Sequence, residues 1–132
     1  MRKWSIALAL LLLLSGCGAA VPEDGPEAAS YVQIDAETAS VMMEEEGTLI
    51  LDVREQEEYD EGHIPEAVLL PVGTIDETTA AAAIPDKTTT VLVYCRSGNR
   101  SRTASQTLAE LGYTAVYEFG GIRDWPYEVV TD

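Results

Sequence analysis

Histidine is almost absent from this chain, and His63 is the only one. A catalytic metal held by several imidazoles is therefore excluded. Cysteine is nearly as scarce. Cys17 and Cys95 are too few for a disulfide framework and lack the paired spacing of a zinc site, so no metal and no cofactor is expected. On count alone, a protease-like pairing of Cys95 with His63 stays open. Basic residues are also short, with 8 Lys and Arg against 23 Asp and Glu and a net charge of −15. That excess repels phosphate backbones and anionic lipid. Nucleic acid is not an expected partner, and the protein surface is not expected to dock on a membrane.

What is present begins with an address. Arg2 and Lys3 precede the apolar run Trp4–Leu14, which is too short for a spanning helix of about 20 residues but has the proportions of a signal-peptide core. Leu14-Ser15-Gly16-Cys17 resembles the lipobox of bacterial lipoproteins. That resemblance implies cleavage before Cys17 and a diacylglyceryl group on its sulfur. Two acyl chains hold a protein on a bilayer stably, whereas one is marginal. The expected location is extracytoplasmic, lipid-anchored to a bacterial membrane. Cleavage removes Arg2, Lys3 and no acid, leaving a mature chain two charges more negative and Cys95 as its one free thiol. An unpaired thiol outside the cytoplasm is a liability unless it is buried or used.

The 132 residues leave room for one domain. Residues 18–30 are small, acidic and marked by Pro and Gly, and read as a flexible tether. The domain is expected over 31–132. Within it, Tyr31–Ile34, Thr48–Val53, Ala67–Leu70, Thr90–Tyr94 and Ala115–Phe119 read as strands. Between them, helices are expected from the Asp35 cap through about Glu46, over Glu55–Glu61, over Thr74–Ala83 and over Arg100–Leu111, with a short terminal helix after Gly120-Gly121. Alternating strands and helices imply an α/β fold with a mainly parallel sheet. Ligands in such folds bind beyond the carboxyl ends of the strands, and Cys95 follows the strongest strand directly.

The segment Cys95-Arg96-Ser97-Gly98-Asn99-Arg100-Ser101 carries the chemistry. Gly98 permits positive φ, and Asn99 tolerates a left-handed turn or can cap a helix. A tight strand-to-helix turn aims backbone N–H groups inward, and the helix N-terminus adds partial positive charge. A thiolate, or an anion resting on it, suits that concavity. Arg96, Arg100 and Arg102 are half of the basic residues left after cleavage. They oppose the helix macrodipole, and an anionic ligand would explain them. The expected consequence is a Cys95 thiol more acidic than a free one, with Arg96 and Arg100 contributing.

From about Tyr31 onward the chain resembles a single-domain rhodanese, or sulfurtransferase. Leu51-Asp52-Val53-Arg54, Glu58-Tyr59 and Gly62-His63-Ile64-Pro65 with Ala67 resemble that family's N-terminal signature. The Cys95–Ser101 segment resembles its active-site loop, and Gly120-Gly121-Ile122 with Trp125 its C-terminal signature. The resemblance implies a five-stranded, mainly parallel sheet flanked by helices. It also implies a ping-pong reaction. Cys95 takes the outer sulfur of a small anionic donor such as thiosulfate, and the resulting persulfide passes it to cyanide or a thiol. Arg96, Ser97, Gly98, Asn99 and Arg100 would bind the donor. Asp52, Arg54, Glu58, His63 and Ser101 would support the loop. One departure is Glu66, which stands where the family usually has glycine.

Two other functions compete. A phosphatase or arsenate reductase loop reads Cys-x5-Arg, but Ser101 holds that arginine's place and Arg100 falls one residue early. A redox-sensing or partner-binding module would use the same exposed, acidic thiol, which oxidises easily.

Overall fold

The computed structural model describes residues 28–132. The leader over 1–17, with Cys17, and the tether as far as residue 27 lie outside the described residues. Residues 28–30 are exposed and carry no regular structure.

Five strands form one sheet: β1 (Val32–Gln33), β2 (Leu49–Asp52), β3 (Val68–Leu69), β4 (Val91–Cys95) and β5 (Val116–Gly121). Their order is β1-β5-β4-β2-β3, and every pairing is parallel. The helices are α1 (Ala36–Met42), α2 (Gln56–Glu61), α3 (Glu77–Ala83) and α4 (Asn99–Glu110), with 3-10 turns at Val72–Thr74 and Ile122–Asp124. This is the expected five-stranded α/β architecture.

The strand β4 is buried along its whole length, because helices cover both faces of the sheet. Val91, Val93 and Cys95 face a core that includes Ala80 and Ile84 beside α3 and Ala104 and Leu108 of α4. Leu92 and Tyr94 face the opposite core with Ala39 of α1, Ile64 and Phe119. The alternation of β4 thus assigns Cys95 to the α4 side.

Two helices differ from the sequence pattern. The first ends at Met42 rather than near Glu46. Glu44, Glu45 and Glu46 would place three carboxylates on the negative end of the helix dipole, with no basic residue in the last turn. The expected helix over Thr74–Ala83 begins only at Glu77. Asp76 accepts from the Thr79 amide at 2.8 Å while the Thr79 hydroxyl accepts from the Asp76 amide at 2.9 Å. This reciprocal cap sets the start. Glu66, where glycine was noted as usual, adopts φ +69, a left-handed conformation that side chains disfavour.

The connections after β2 and β4 leave toward opposite edges of the sheet. Adjacent strands with diverging connections open a crevice at their carboxyl ends. Here that crevice lies between the segment after Asp52 and the segment after Cys95.

Candidate active site

Cys95 ends β4, and only 1% of its surface is exposed. Gly98 has φ +106 and stands at the N-terminal cap of α4. This left-handed turn, cheap only for glycine, folds the chain back so that the Gly98 amide donates to Cys95 Sγ at 3.0 Å. The cap itself is Gly98. Asn99, expected as a candidate cap, is the first residue of α4 and is exposed.

Burial pushes the Cys95 thiol up. Hydrogen bonding around the sulfur, at Ser101 and at the backbone of Gly98 and Ser97, more than offsets this, so the thiol lies below its ordinary value. A midpoint for Cys95 alkylation below about 8.5 is expected. The direction matches the reading of the loop, but the arrangement of charges differs from it. Arg100 is not aimed at the sulfur alone: its two terminal nitrogens donate to Glu58 Oε2 and Oε1 at 2.7 and 2.8 Å. Its guanidinium is raised chiefly by Glu58, with the Cys95 charge a lesser contribution. Arg96 is exposed and forms no ion pair among the described residues. Fixed local donors, rather than arginine side chains, therefore lead in stabilising the thiolate.

The Glu58–Arg100 pair joins α2 to the first turn of α4. Glu58 also accepts from the Glu55 amide at 2.9 Å. Hydrogen bonding to Arg100, working against burial, lowers the Glu58 carboxyl to about 2. A depressed carboxyl stabilises the fold above its unfolded value of about 4.3 and loses that contribution as pH falls through the folded one. The Glu58→Gln variant should accordingly lose stability at neutral pH. It should also show a shallower acid-induced decline between about pH 4.5 and 2, read as the urea midpoint against pH. An unchanged acid slope would assign that decline to other carboxylates.

Asp52 and Arg54 form a separate, buried network. Arg54 donates to Asp52 through Nε at 2.9 Å and Nη2 at 2.6 Å, and to the Gly62 carbonyl at 2.7 Å. Tyr94 donates to Asp52 at 2.6 Å while accepting from the Ile64 amide at 3.1 Å. With every partner satisfied, the network rigidifies the end of β2. His63 does not join it or the loop. Its ring stacks on Tyr59 at 3.7 Å, its Nδ1 lies 2.9 Å from the Tyr59 carbonyl, and its backbone pairs with Val130. It fastens the C-terminal segment to α2 and stands outside the contacts of Cys95, so nothing here makes it a base for the thiol.

A cavity of about 330 Å³ opens at the crevice, lined by Arg54, Glu58, Glu61, Arg96, Ile122 and Arg123. The sequence reading missed Arg123 and Glu118. Arg123 lines this cavity, and its amide donates to the Arg96 carbonyl at 3.2 Å. Glu118 lies in β5, 3% exposed, and accepts from Ser101 Oγ at 2.6 Å and the Gly120 amide at 2.8 Å. An acid inside an otherwise buried strand was the available signal. Between Val93 and Cys95 the register with β5 shifts so that Cys95 faces Gly121. Such bulges are frequent beside active sites. Ser97 is exposed and Ser101 fully buried, so Ser101, expected only to support the loop, touches the sulfur directly.

Comparison with known proteins agrees with this fold. A family model described as a rhodanese-like domain matches residues 35–127. The chain is similar to thiosulfate sulfurtransferase PspE of Escherichia coli (strain K12), with 42% identity over 74 residues, covering 56% of this chain and 70% of that protein. It is 36% identical over 96 residues to thiosulfate sulfurtransferase GlpE of Coxiella burnetii, covering 72% of this chain and 87% of the relative. Among solved structures, a rhodanese with anions from E. coli superposes with a TM-score of 0.60 at 36% identity, covering 64% of this chain and 99% of that one.

Proposed function

Because this chain belongs to the rhodanese-like domain family, we propose that it is a thiosulfate sulfurtransferase-type enzyme working through a Cys95 persulfide. The observation that carries the mechanism is the Gly98 amide, held 3.0 Å from Cys95 Sγ at the start of α4. A buried thiolate there has fixed dipoles around it and needs no separate base once formed. Cys95 Sγ attacks the outer sulfur of thiosulfate and forms the new S–S bond. The donor S–S bond breaks, and sulfite leaves with the bonding electrons. The acceptor, cyanide or a thiolate, then attacks the outer sulfur and returns Cys95 as thiolate. Donor and leaving group are both anions, and Arg96 and Arg123 at the cavity wall would draw them in. Ser97, Gly98 and Asn99 shape the loop over the sulfur, while Arg100 orders it through Glu58. Ser101 in the place of a Cys-x5-Arg arginine supports sulfur rather than phosphate as the transferred group.

The test is the intact mass of the full chain after incubation with thiosulfate. One added sulfur atom on Cys95, removed by cyanide, is expected; an unmodified Cys95 under conditions of turnover would exclude the persulfide.

We also propose that Cys17 carries a diacylglyceryl anchor that keeps the domain on the outer side of a bacterial membrane. The order of basic start, short apolar core and Leu14-Ser15-Gly16-Cys17 supports it. Labelled lipid should be incorporated into the chain in its bacterial host and lost in Cys17→Ser, with the protein shifting out of the membrane fraction. Equal labelling of the variant would refute the anchor.

A further inference from the structure

The Ser101 hydroxyl has one proton and three acceptors within reach of it. Glu118 Oε1 lies at 2.6 Å, the Gly98 carbonyl at 3.0 Å and the Gly120 carbonyl at 3.3 Å. Cys95 Sγ lies at 3.4 Å, where the thiol donates to the same oxygen. A hydroxyl carries a single donor. The shortest contact, to a charged acceptor, is the strongest. All three side chains are buried, with Ser101 at 0%, Cys95 at 1% and Glu118 at 3% exposure.

We propose that Glu118, acting through Ser101, is a positioning residue that holds the Ser101 proton away from Cys95 and so restrains ionisation of the thiol. With Glu118 ionised, the chain runs from the Cys95 thiol to Ser101 Oγ and on to the Glu118 carboxylate. Ser101 then accepts from the sulfur instead of donating to it. Thiolate formation in this state places a second negative charge beside the first, which opposes it. When Glu118 is replaced by a neutral amide, the Ser101 proton is released to turn to the sulfur. The restraint has a chemical use, since a thiolate of higher pKa is the stronger nucleophile and a resting thiol resists oxidation.

The surroundings leave the carboxylate to this task. Glu118 has no ion-pair partner among the described residues. Gln33 of β1 donates to its Oε2 at 3.3 Å and the Gly120 amide to its Oε1 at 2.8 Å. From α4, Arg102 and Glu118 both come within 3.8 Å of the point where Gly98 would carry a Cβ. Cys95 of β4 meets Ser101, which in turn meets Glu118. Arg100, whose charge is felt by Cys95, is already paired with Glu58 of α2.

In its consequence for catalysis the inference rests on Cys95 being the nucleophile, but its test does not. The test is the pH midpoint of Cys95 alkylation by a neutral haloacetamide, measured on the full chain carrying Cys17→Ser so that Cys95 is the sole thiol. Glu118→Gln should lower the midpoint by about one unit, a tenfold rise in thiolate at pH values below it. In a Ser101→Ala background the same substitution should lower it by clearly less. Ser101→Ala alone should not raise the midpoint, because the proton it removes belongs to Glu118. This last arm decides the question even where Glu118→Gln does not fold, as judged by its thermal melt. A midpoint unchanged or raised in Glu118→Gln overturns the proposal. So does an equal drop in both backgrounds, which would mean charge acting through space without Ser101, and so does a rise of a unit in Ser101→Ala. Absence of a persulfide would remove the sulfurtransferase reading and leave these midpoints as they are.

Discussion

Cys95→Ser should abolish sulfur transfer, lowering thiocyanate production from thiosulfate and cyanide by on the order of 10³-fold or more. The reason is chemical rather than structural. A serine oxygen is barely ionised near neutral pH, and the one imidazole is not placed to activate it, since His63 stacks on Tyr59 and is tied to Val130 instead. The pocket should tolerate the exchange. Serine is slightly smaller than cysteine, and its oxygen can accept the Gly98 amide that now reaches Sγ at 3.0 Å. The melting temperature should therefore move by only a few degrees, in line with a change of about 1 kcal/mol. A serine variant that is folded and still produces thiocyanate at a comparable rate would mean that Cys95 is not the nucleophile.

The second large effect is expected far from the sulfur in sequence. Gly121 is buried at the end of β5. A Cβ there would overlap the Arg96 carbonyl group and stand 2.5 Å from the Ser97 amide nitrogen. These are backbone atoms, so no rotamer change relieves the clash. Gly121→Ala must push the loop after Cys95 away from β5. It would also strain the hydrogen bond from the Arg123 amide to the Arg96 carbonyl, now 3.2 Å. Displacing reacting groups by about 1 Å costs roughly 10²-fold in rate, and overpacking a tight site costs about 1–3 kcal/mol. We therefore expect kcat/KM to fall at least about 100-fold, together with a lower thermal midpoint. Gly120→Ala is the control. Its Cβ would meet nothing within 4 Å, although its φ of +91 is unfavourable for alanine. It should lose about 1–2 kcal/mol of stability with the loop left in place. Retention of more than half the wild-type kcat/KM by Gly121→Ala would show that the loop is not seated on β5 as described.

Much of this was written locally in the chain. The near-continuous apolar runs before Val53 and Tyr94 belong to strands covered on both faces. The Asp35 cap, whose carboxylate accepts from the Thr38 amide at 2.8 Å, starts α1 where the sequence placed it. Helix ends were less legible, because the acids at Glu44–Glu46 and the Asp76–Thr79 cap compete with a periodicity that continues past them. The position of Cys95 at a strand end, with Gly98 three residues on, was enough to single out the candidate reactive centre. Each of these features depends on neighbours a few residues apart, and short-range sterics, capping and periodicity govern them.

Partners were another matter. Periodicity assigns a residue to a face of a strand or helix but does not say which distant residue meets it there. Arg100 was expected at the anion, yet it is held by Glu58, 42 residues away. His63 was expected beside the loop and instead fastens the C-terminal segment. Glu118 was one residue of a strand until the order β1-β5-β4-β2-β3 laid β5 against β4 and brought its carboxylate to Ser101. The same pairing, with its register shift opposite Cys95, makes Gly121 the floor of the loop. The sequence by itself determined the elements, their alternation and the candidate nucleophile. Strand order and register decided which charges are neutralised, which proton is shared and which backbone atoms touch, because those are set only when segments far apart in the chain come into contact.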